Sequence, residues 1–298
     1  MTRALVLSGG GPVGIAWQSG LTVGLAEEDV HLAGADFIVG TSAGSVVGAQ
    51  IALGRNLNEQ VERYRQADAR RVSTTATAAA AAAPGAQMQQ LMSIMASAMT
   101  DSADPERTRA RIGKFALEAE TVPEQRFVDN FRHLDGDGWP RRYACTAVDA
   151  ETGAFIVWDG GNQAELPRAV ASSCAVPGVF PPITIDGHRY IDGGMRSGTN
   201  ADLAEGHDRV LIVSLMGASR LATTPDPRME RYRRRMEDEL GVLTDAGATV
   251  EMLVPDDEAA AMLGLNLMDS TRSLAAAETG IRQGRQNADR LGAFWSET

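Results

Sequence analysis

A serine set between glycines at the end of an apolar run is the first feature of this sequence that could do chemistry. Gly40-Thr41-Ser42-Ala43-Gly44 follows Phe37-Ile38-Val39 directly. Small residues at Gly40 and Gly44 suit a sharp strand-to-helix turn, where a larger side chain would meet the backbone, and such a turn exposes the Ser42 hydroxyl. A hydroxyl is a poor nucleophile at neutral pH. Ser42 therefore needs a base within hydrogen-bonding reach and N–H donors for the oxyanion that its attack would create. The run Gly9-Gly10-Gly11-Pro12-Val13-Gly14 can turn backbone N–H groups toward developing negative charge without side-chain obstruction, helped by the positive end of the helix that follows. Gly10 and Gly11 are the leading donors, joined by the amide of Ala43. The base is not fixed by these residues alone. Asp192-Gly193-Gly194 holds a carboxylate where flanking glycines let another backbone element come close, an arrangement that ordinary structural turns also use.

Other chemistries fit less well. Gly9, Gly11 and Gly14 satisfy the spacing of a dinucleotide-binding turn, but the second strand runs into Gly40-Thr41-Ser42 and carries its acidic residue, Asp36, at the wrong end to hold a ribose. Four histidines and two cysteines show no metal-ligand spacing, so neither a metal nor a cofactor is expected. His188, four residues before Asp192, reads as a hairpin-turn residue, and Cys174 as a small buried one.

These groups have to be positioned by a framework that the sequence also outlines. Ala4–Ser8 reads as a buried strand, then the glycine loop, then a helix over Ile15–Ala26; Asp36–Val39 and Ser42–Leu53 repeat the pattern, with Gly54 and Asn56 as stop signals. Residues 142–149 and 154–158 read as paired strands. Ile183–Ile185 and Arg189–Ile191 form a second hairpin around Asp186-Gly187. Residues 209–216 and 249–254 complete the strands, and Asp269–Leu291 reads as a long closing helix with Asp269 or Ser270 as its cap. Strands alternating with helices predict an α/β fold, a mainly parallel central sheet covered on both faces.

Between about 55 and 140 the chain changes character: Arg-rich helical stretches, a low-complexity run at 74–83, and an apolar, Met-rich stripe of Met88, Leu91, Met92, Met95 and Met99 on helical spacing. This region is read as a helical insertion within a single domain spanning 1–298. The stripe suits either ordinary core or a flexible lid or acyl-chain wall. The basic run Arg228–Arg235 is followed by Glu237-Asp238-Glu239 and reads as a solvated helix.

The net charge of -11 opposes binding to nucleic acid, and 44% hydrophobic residues with 22% charged are ordinary globular proportions. Cys145 and Cys174 are too few for a disulfide scaffold. With no leader-like start and no membrane-length apolar run, a soluble, cytoplasmic protein is expected, with transient peripheral contact to membranes left open. Oligomeric state is not readable.

Taken together, the glycine loop at 9–14, Gly-Thr-Ser-Ala-Gly at 40–44, the Ser- and Pro-rich segment 171–182 and Asp192-Gly193-Gly194 resemble the patatin-like phospholipase family. The resemblance implies a three-layer α/β/α fold and hydrolysis of lipid-like carboxylic esters. It makes Ser42 the nucleophile and Asp192 the base of a Ser-Asp dyad that needs no histidine. It makes Gly9, Gly10 and Gly11 with Ala43 the oxyanion hole, and Gly14, Gly193 and Gly194 the remaining motif glycines. Many relatives carry Arg or Lys where this chain has Val13, which removes a cation that could steady the loop or meet an anionic head group. A small-ester or thioester hydrolase therefore stays open, as does a lipid-binding module without catalysis.

Overall fold

The structure is a computed structural model that describes residues 1–73, 104–136, 138–161, 164–215, 227–264 and 266–296. The low-complexity run and the Met stripe lie outside these residues.

Strand β1 (Arg3–Leu7) leads through the glycine loop into helix α1 (Gly11–Ala26), and β2 (Phe37–Gly40) into α2 (Ala43–Ala52), as the two repeated patterns predict. Helix α3 (Leu57–Ser73), α4 (Pro105–Glu118, capped by the Asp104 carboxylate) and α5 (Glu124–Val128) follow. Next come β3 (Tyr143–Asp149), β4 (Phe155–Trp158), α6 (Leu166–Ser173) and the hairpin of β5 (Ile183–Ile185) and β6 (His188–Asp192). The chain ends with β7 (Arg209–Val213), α7 (Pro227–Asp245), β8 (Thr249–Leu253), α8 (Asp257–Leu263) and α9 (Ser273–Ser296). The closing helix starts later than its sequence signals. Asp269 caps a short 3-10 turn at Ser270–Arg272 before α9 begins.

The sheet runs β5-β6-β3-β2-β1-β7-β8, with β4 paired to β3 off this path. The pairs from β3 through β2, β1 and β7 to β8 are parallel, whereas β4, β5 and β6 pair antiparallel. Register at β3 decides where the chemistry sits. Cys145 pairs with both Gly40 of β2 and Trp158 of β4, and Ala147 with both Asp192 of β6 and Ile156 of β4. A strand residue has one partner on each edge, so β4 fills one edge of β3 while β2 and β6 share the other. The backbone bonds agree. Arg142 O and Ala150 N, on even residues, bond to Ile38 and Arg189, whereas Asp149 N bonds to Ala154. Strand β2 thus runs up one edge to Gly40 and β6 runs down it to Asp192, and their ends meet two residues apart along β3, or about 7 Å.

The larger core lies where α1, α2, α6 and α9 cover the sheet, around Trp17, Leu21, Ile38, Val47 and Leu211. A smaller cluster on the other face joins Val6, Val39, Val210 and Ile212 to Leu243 of α7. Helix α1 packs backbone to backbone on α9. A methyl group at Gly20 or Gly24 would strike the carbonyls of Ala277 and Ile281, and one at Gly280 or Gly284 those of Trp17 and Leu21. This contact fixes the helix whose first turn carries the glycine loop.

Candidate active site

Ser42 stands on the turn between β2 and α2 with φ 52° and ψ −118°, backbone that a non-glycine residue adopts at a cost of about 1–3 kcal/mol. The strain is held by crowding on both sides. A side chain at Gly40 would collide with the Gly44 carbonyl and Ser45, and one at Gly44 with the Leu7 carbonyl. Three further groups tie the turn down. Ser42 N–H donates to Ser173 Oγ (3.0 Å), and Ser45 Oγ (2.6 Å) and Cys174 Sγ (3.2 Å) both donate to the Ser42 carbonyl. The Cys174 thiol suits that task, because burial pushes its pKa well above the usual thiol range and keeps it a protonated donor.

Asp192 ends β6 almost wholly buried, at 2% exposure. Its N–H donates to the Ala175 carbonyl (3.1 Å), and its Oδ1 accepts the Gly194 N–H (2.7 Å). Burial raises the carboxyl pKa to about 7, against the opposing pull of the Gly194 amide and of a hydrogen-bonding interaction with the Ser42 side chain. A carboxylate near 7 is a far better proton acceptor than one near 4. Gly193 is small because a side chain there would strike Thr146.

The glycine loop lies against the serine turn: a Cβ at Gly9 would stand 3.4 Å from Ser42 Cβ, and one at Gly14 would stand 3.2 Å from Ala43 Cβ. The loop's amides do not all face the same way. Gly9 N–H is committed to the Gly198 carbonyl (2.9 Å) and Gly14 N–H to the Gly10 carbonyl (2.8 Å). The expectation that Gly9 donates to an oxyanion is therefore corrected: Gly9 gives space, and its amide anchors the loop. The amides of Gly10 and Gly11, at the start of α1, and of Ala43, at the start of α2, have no acceptor among the described residues. Both helices thus direct their positive ends at one place. Val13 is fully buried in the larger core, so the residue at this position adds no surface to the mouth of the site.

None of the four histidines joins this group among the described residues. His31 precedes a 3-10 turn, where its carbonyl accepts Trp295 Nε1 (3.2 Å); His133 bonds to Asn130 O. His188 stands 3.6 Å from Asp149 on the exposed end of its hairpin, and His207 stacks on Phe37. The described residues also hold no cluster of three or more His, Cys, Asp or Glu able to bind a metal, and none of their helices is long and apolar enough to cross a membrane.

Residues that the sequence did not single out complete the surroundings. Thr41 Oγ1 and Thr146 Oγ1 are 2.9 Å apart, and Asn200 Nδ2 donates to Thr41 Oγ1 (2.9 Å). The carboxylate of Glu239 on α7 accepts from Thr199 Oγ1 (2.6 Å) and Ala201 N (3.0 Å). Asn200 holds left-handed backbone, which asparagine tolerates better than most residues, and of this group only Thr41, inside the serine motif, was marked by its place in the sequence.

The patatin-like phospholipase family model matches residues 5–205. Among solved structures, VipD from Legionella pneumophila is similar over 97% of this chain and 67% of its own, with 13% identity and a TM-score of 0.44. The type III effector protein ExoU is similar over 95% of this chain, with 17% identity and a TM-score of 0.38. This chain spans 53% of ExoU, about half its length. No curated protein matches the sequence. The family match runs from β1 past the Asp192 turn and takes in well over half of the sequence, so the chain belongs to the patatin-like phospholipase family.

Proposed function

We propose that this chain is a serine hydrolase that cleaves carboxylic esters of lipid-like acyl substrates through an acyl-serine intermediate. Family membership supports lipid ester hydrolysis as the general activity. The mechanism rests on one observation: a buried carboxyl lies in hydrogen-bonding interaction with the side chain of a serine held in strained backbone at a turn between two glycines, and that burial raises its pKa.

Ser42 Oγ attacks the ester carbonyl carbon while Asp192 takes the hydroxyl proton, and the carbonyl electron pair moves onto oxygen. The amides of Gly10, Gly11 and Ala43 bind that oxyanion; each such donor in a site of this kind contributes about 10²–10³ in rate. Collapse expels the alcohol, which receives the proton from Asp192. Water then attacks the acyl-serine, Asp192 takes its proton, and the acid leaves as the proton returns to Ser42. The backbone strain at Ser42 presents the hydroxyl in advance of binding.

A fluorophosphonate probe followed by peptide mapping tests this reading, with a panel of phospholipid, lysolipid, neutral glyceride and short-chain esters run in parallel. Stoichiometric modification at Ser42, and hydrolysis abolished in folded Ser42→Ala, are expected. Hydrolysis that persists in Ser42→Ala, or a folded wild type that takes no label with or without detergent, would overturn it in favour of a binding module. The panel separates long-chain lipids from small esters.

A further inference from the structure

Strands β2 and β6 meet end to end on one edge of β3, so no ladder of backbone bonds runs between them; their shared neighbour β3 relates the serine turn to the aspartate turn, and Ser173, Cys174 and Ala175 hold both from the end of α6. Side chains have to close that seam. Asn200 is wholly buried, in left-handed backbone, and its amide spans the gap. Nδ2 donates one hydrogen to Thr41 Oγ1 (2.9 Å), next to the nucleophile, and one to the Ser197 carbonyl (2.8 Å), in the turn that follows Asp192. The Thr146 hydroxyl and the Gly193 carbonyl lie at 3.4 and 3.5 Å from the same nitrogen. Thr146 sits on β3 between Cys145 and Ala147, the two residues that face the strand ends. The Thr41 and Thr146 hydroxyls share a hydrogen bond (2.9 Å) that either can donate, which closes the seam from the third side.

Asn200 is itself held from outside the family-matched residues. Glu239, buried on α7, accepts from the residues on both sides of it, through Thr199 Oγ1 and Ala201 N, and pairs with Arg235 (3.2 Å). Arg196 Nη1 donates to Asn200 Oδ1 (2.8 Å). The same segment accepts the Gly9 amide at Gly198 O, so it also anchors the glycine loop.

We propose that Asn200 is a positioning residue that sets the distance between Ser42 and Asp192 by bridging the ends of β2 and β6, and that Glu239 fixes Asn200 from α7. This rests on the hydrolase reading above. A misplacement of about 1 Å between reacting groups costs on the order of 10² in rate. Asn200 touches no reacting atom, so its loss should lower kcat and leave KM nearly unchanged.

The test is steady-state hydrolysis and fluorophosphonate labelling of the full chain as wild type, Asn200→Ala and Thr146→Val, with each variant's folded fraction measured by circular dichroism. The valine variant is isosteric and removes one hydroxyl from the seam, so it decides the matter if Asn200→Ala fails to fold. Expected for Asn200→Ala are a fall in kcat of about 10²-fold, KM within about threefold, a matching loss of labelling rate, and an acid limb of kcat/KM moved to lower pH as water reaches Asp192. Thr146→Val should lose at least about threefold in kcat by the same reasoning. Folded variants with kcat within twofold of wild type and an unmoved pH profile would overturn the proposal, as would losses that only track the unfolded fraction. A wild type that neither labels nor hydrolyses would instead overturn the hydrolase reading.

Discussion

At the scale of single residues, Asp192 carries the clearest energetic signature. Its carboxyl, raised to about 7 by burial, has an unfolded value of about 3.9, so between those pH values the folded chain holds a proton that the unfolded chain releases. Stability from this group is present in full below about pH 4, declines as pH rises toward 7 and stays lost above it. Asparagine at this position can still accept the Gly194 amide and never ionises. Asp192→Asn should therefore gain stability relative to wild type from pH 4 to pH 7 and level off beyond, by up to a few kcal/mol. Urea unfolding across that range checks it, and a difference that does not change with pH would contradict the burial argument. Gly40 and Gly44 were legible in the sequence because crowding at a strand-to-helix turn demands small residues there, but the exposure expected of the Ser42 hydroxyl is not met: Ser42 is buried, at 7% exposure. Gly9 was misread for a reason equally physical: whether an amide is free depends on a carbonyl at Gly198, almost two hundred residues away.

At the scale of elements, alternation and turn chemistry carried most of the reading. The hairpin of β5 and β6 turns on Asp186 and Gly187, both with positive φ (49° and 81°), as the dipeptide predicts. Register was not legible. The end-to-end meeting of β2 and β6 depends on how both pair with β3, and β3 shows no apolar–polar alternation to fix it, because all seven of its residues are buried, Thr146 and Asp149 included. The contact of α1 with α9 was also hidden, since α1 is apolar nearly all round and shows no distinct face. Two glycine substitutions should separate close packing from helix propensity. Gly284→Ala places a methyl group against the Leu21 carbonyl and should cost about 1–3 kcal/mol or more. Gly241→Ala on α7 meets nothing within 4 Å and should stabilise the chain by about 0.5–1 kcal/mol. Thermal melting of both variants measures the contrast. Equal shifts would mean that α1 and α9 are not in backbone contact.

Across the whole molecule, the parallel strands β3-β2-β1-β7-β8 deliver their carboxyl ends to one edge, where α1 and α2 begin and β6 ends. Sequence order made the α/β class and the mainly parallel sheet legible, because strand and helix alternate along the chain. The contribution of α7 was not: its basic run and following acids read as a solvated surface, yet Glu239 points inward to the segment behind the aspartate turn. Val13 shows the same limit, since a motif position that suggested head-group contact faces the core. Histidines are distributed around the molecule without one beside Ser42 among the described residues, and activation by Asp192 requires that they take no part in it. The most direct test is the second-order rate of fluorophosphonate modification at Ser42 against pH, in wild type, in Asp192→Asn and in a chain with His31, His133, His188 and His207 all changed to Gln. The expected rate rises through about pH 7 in wild type and in the histidine-free chain, and falls by about 10²–10⁴-fold in folded Asp192→Asn. A histidine-free chain that folds but does not label, or an Asp192→Asn chain that labels at the wild-type rate, would contradict activation by Asp192.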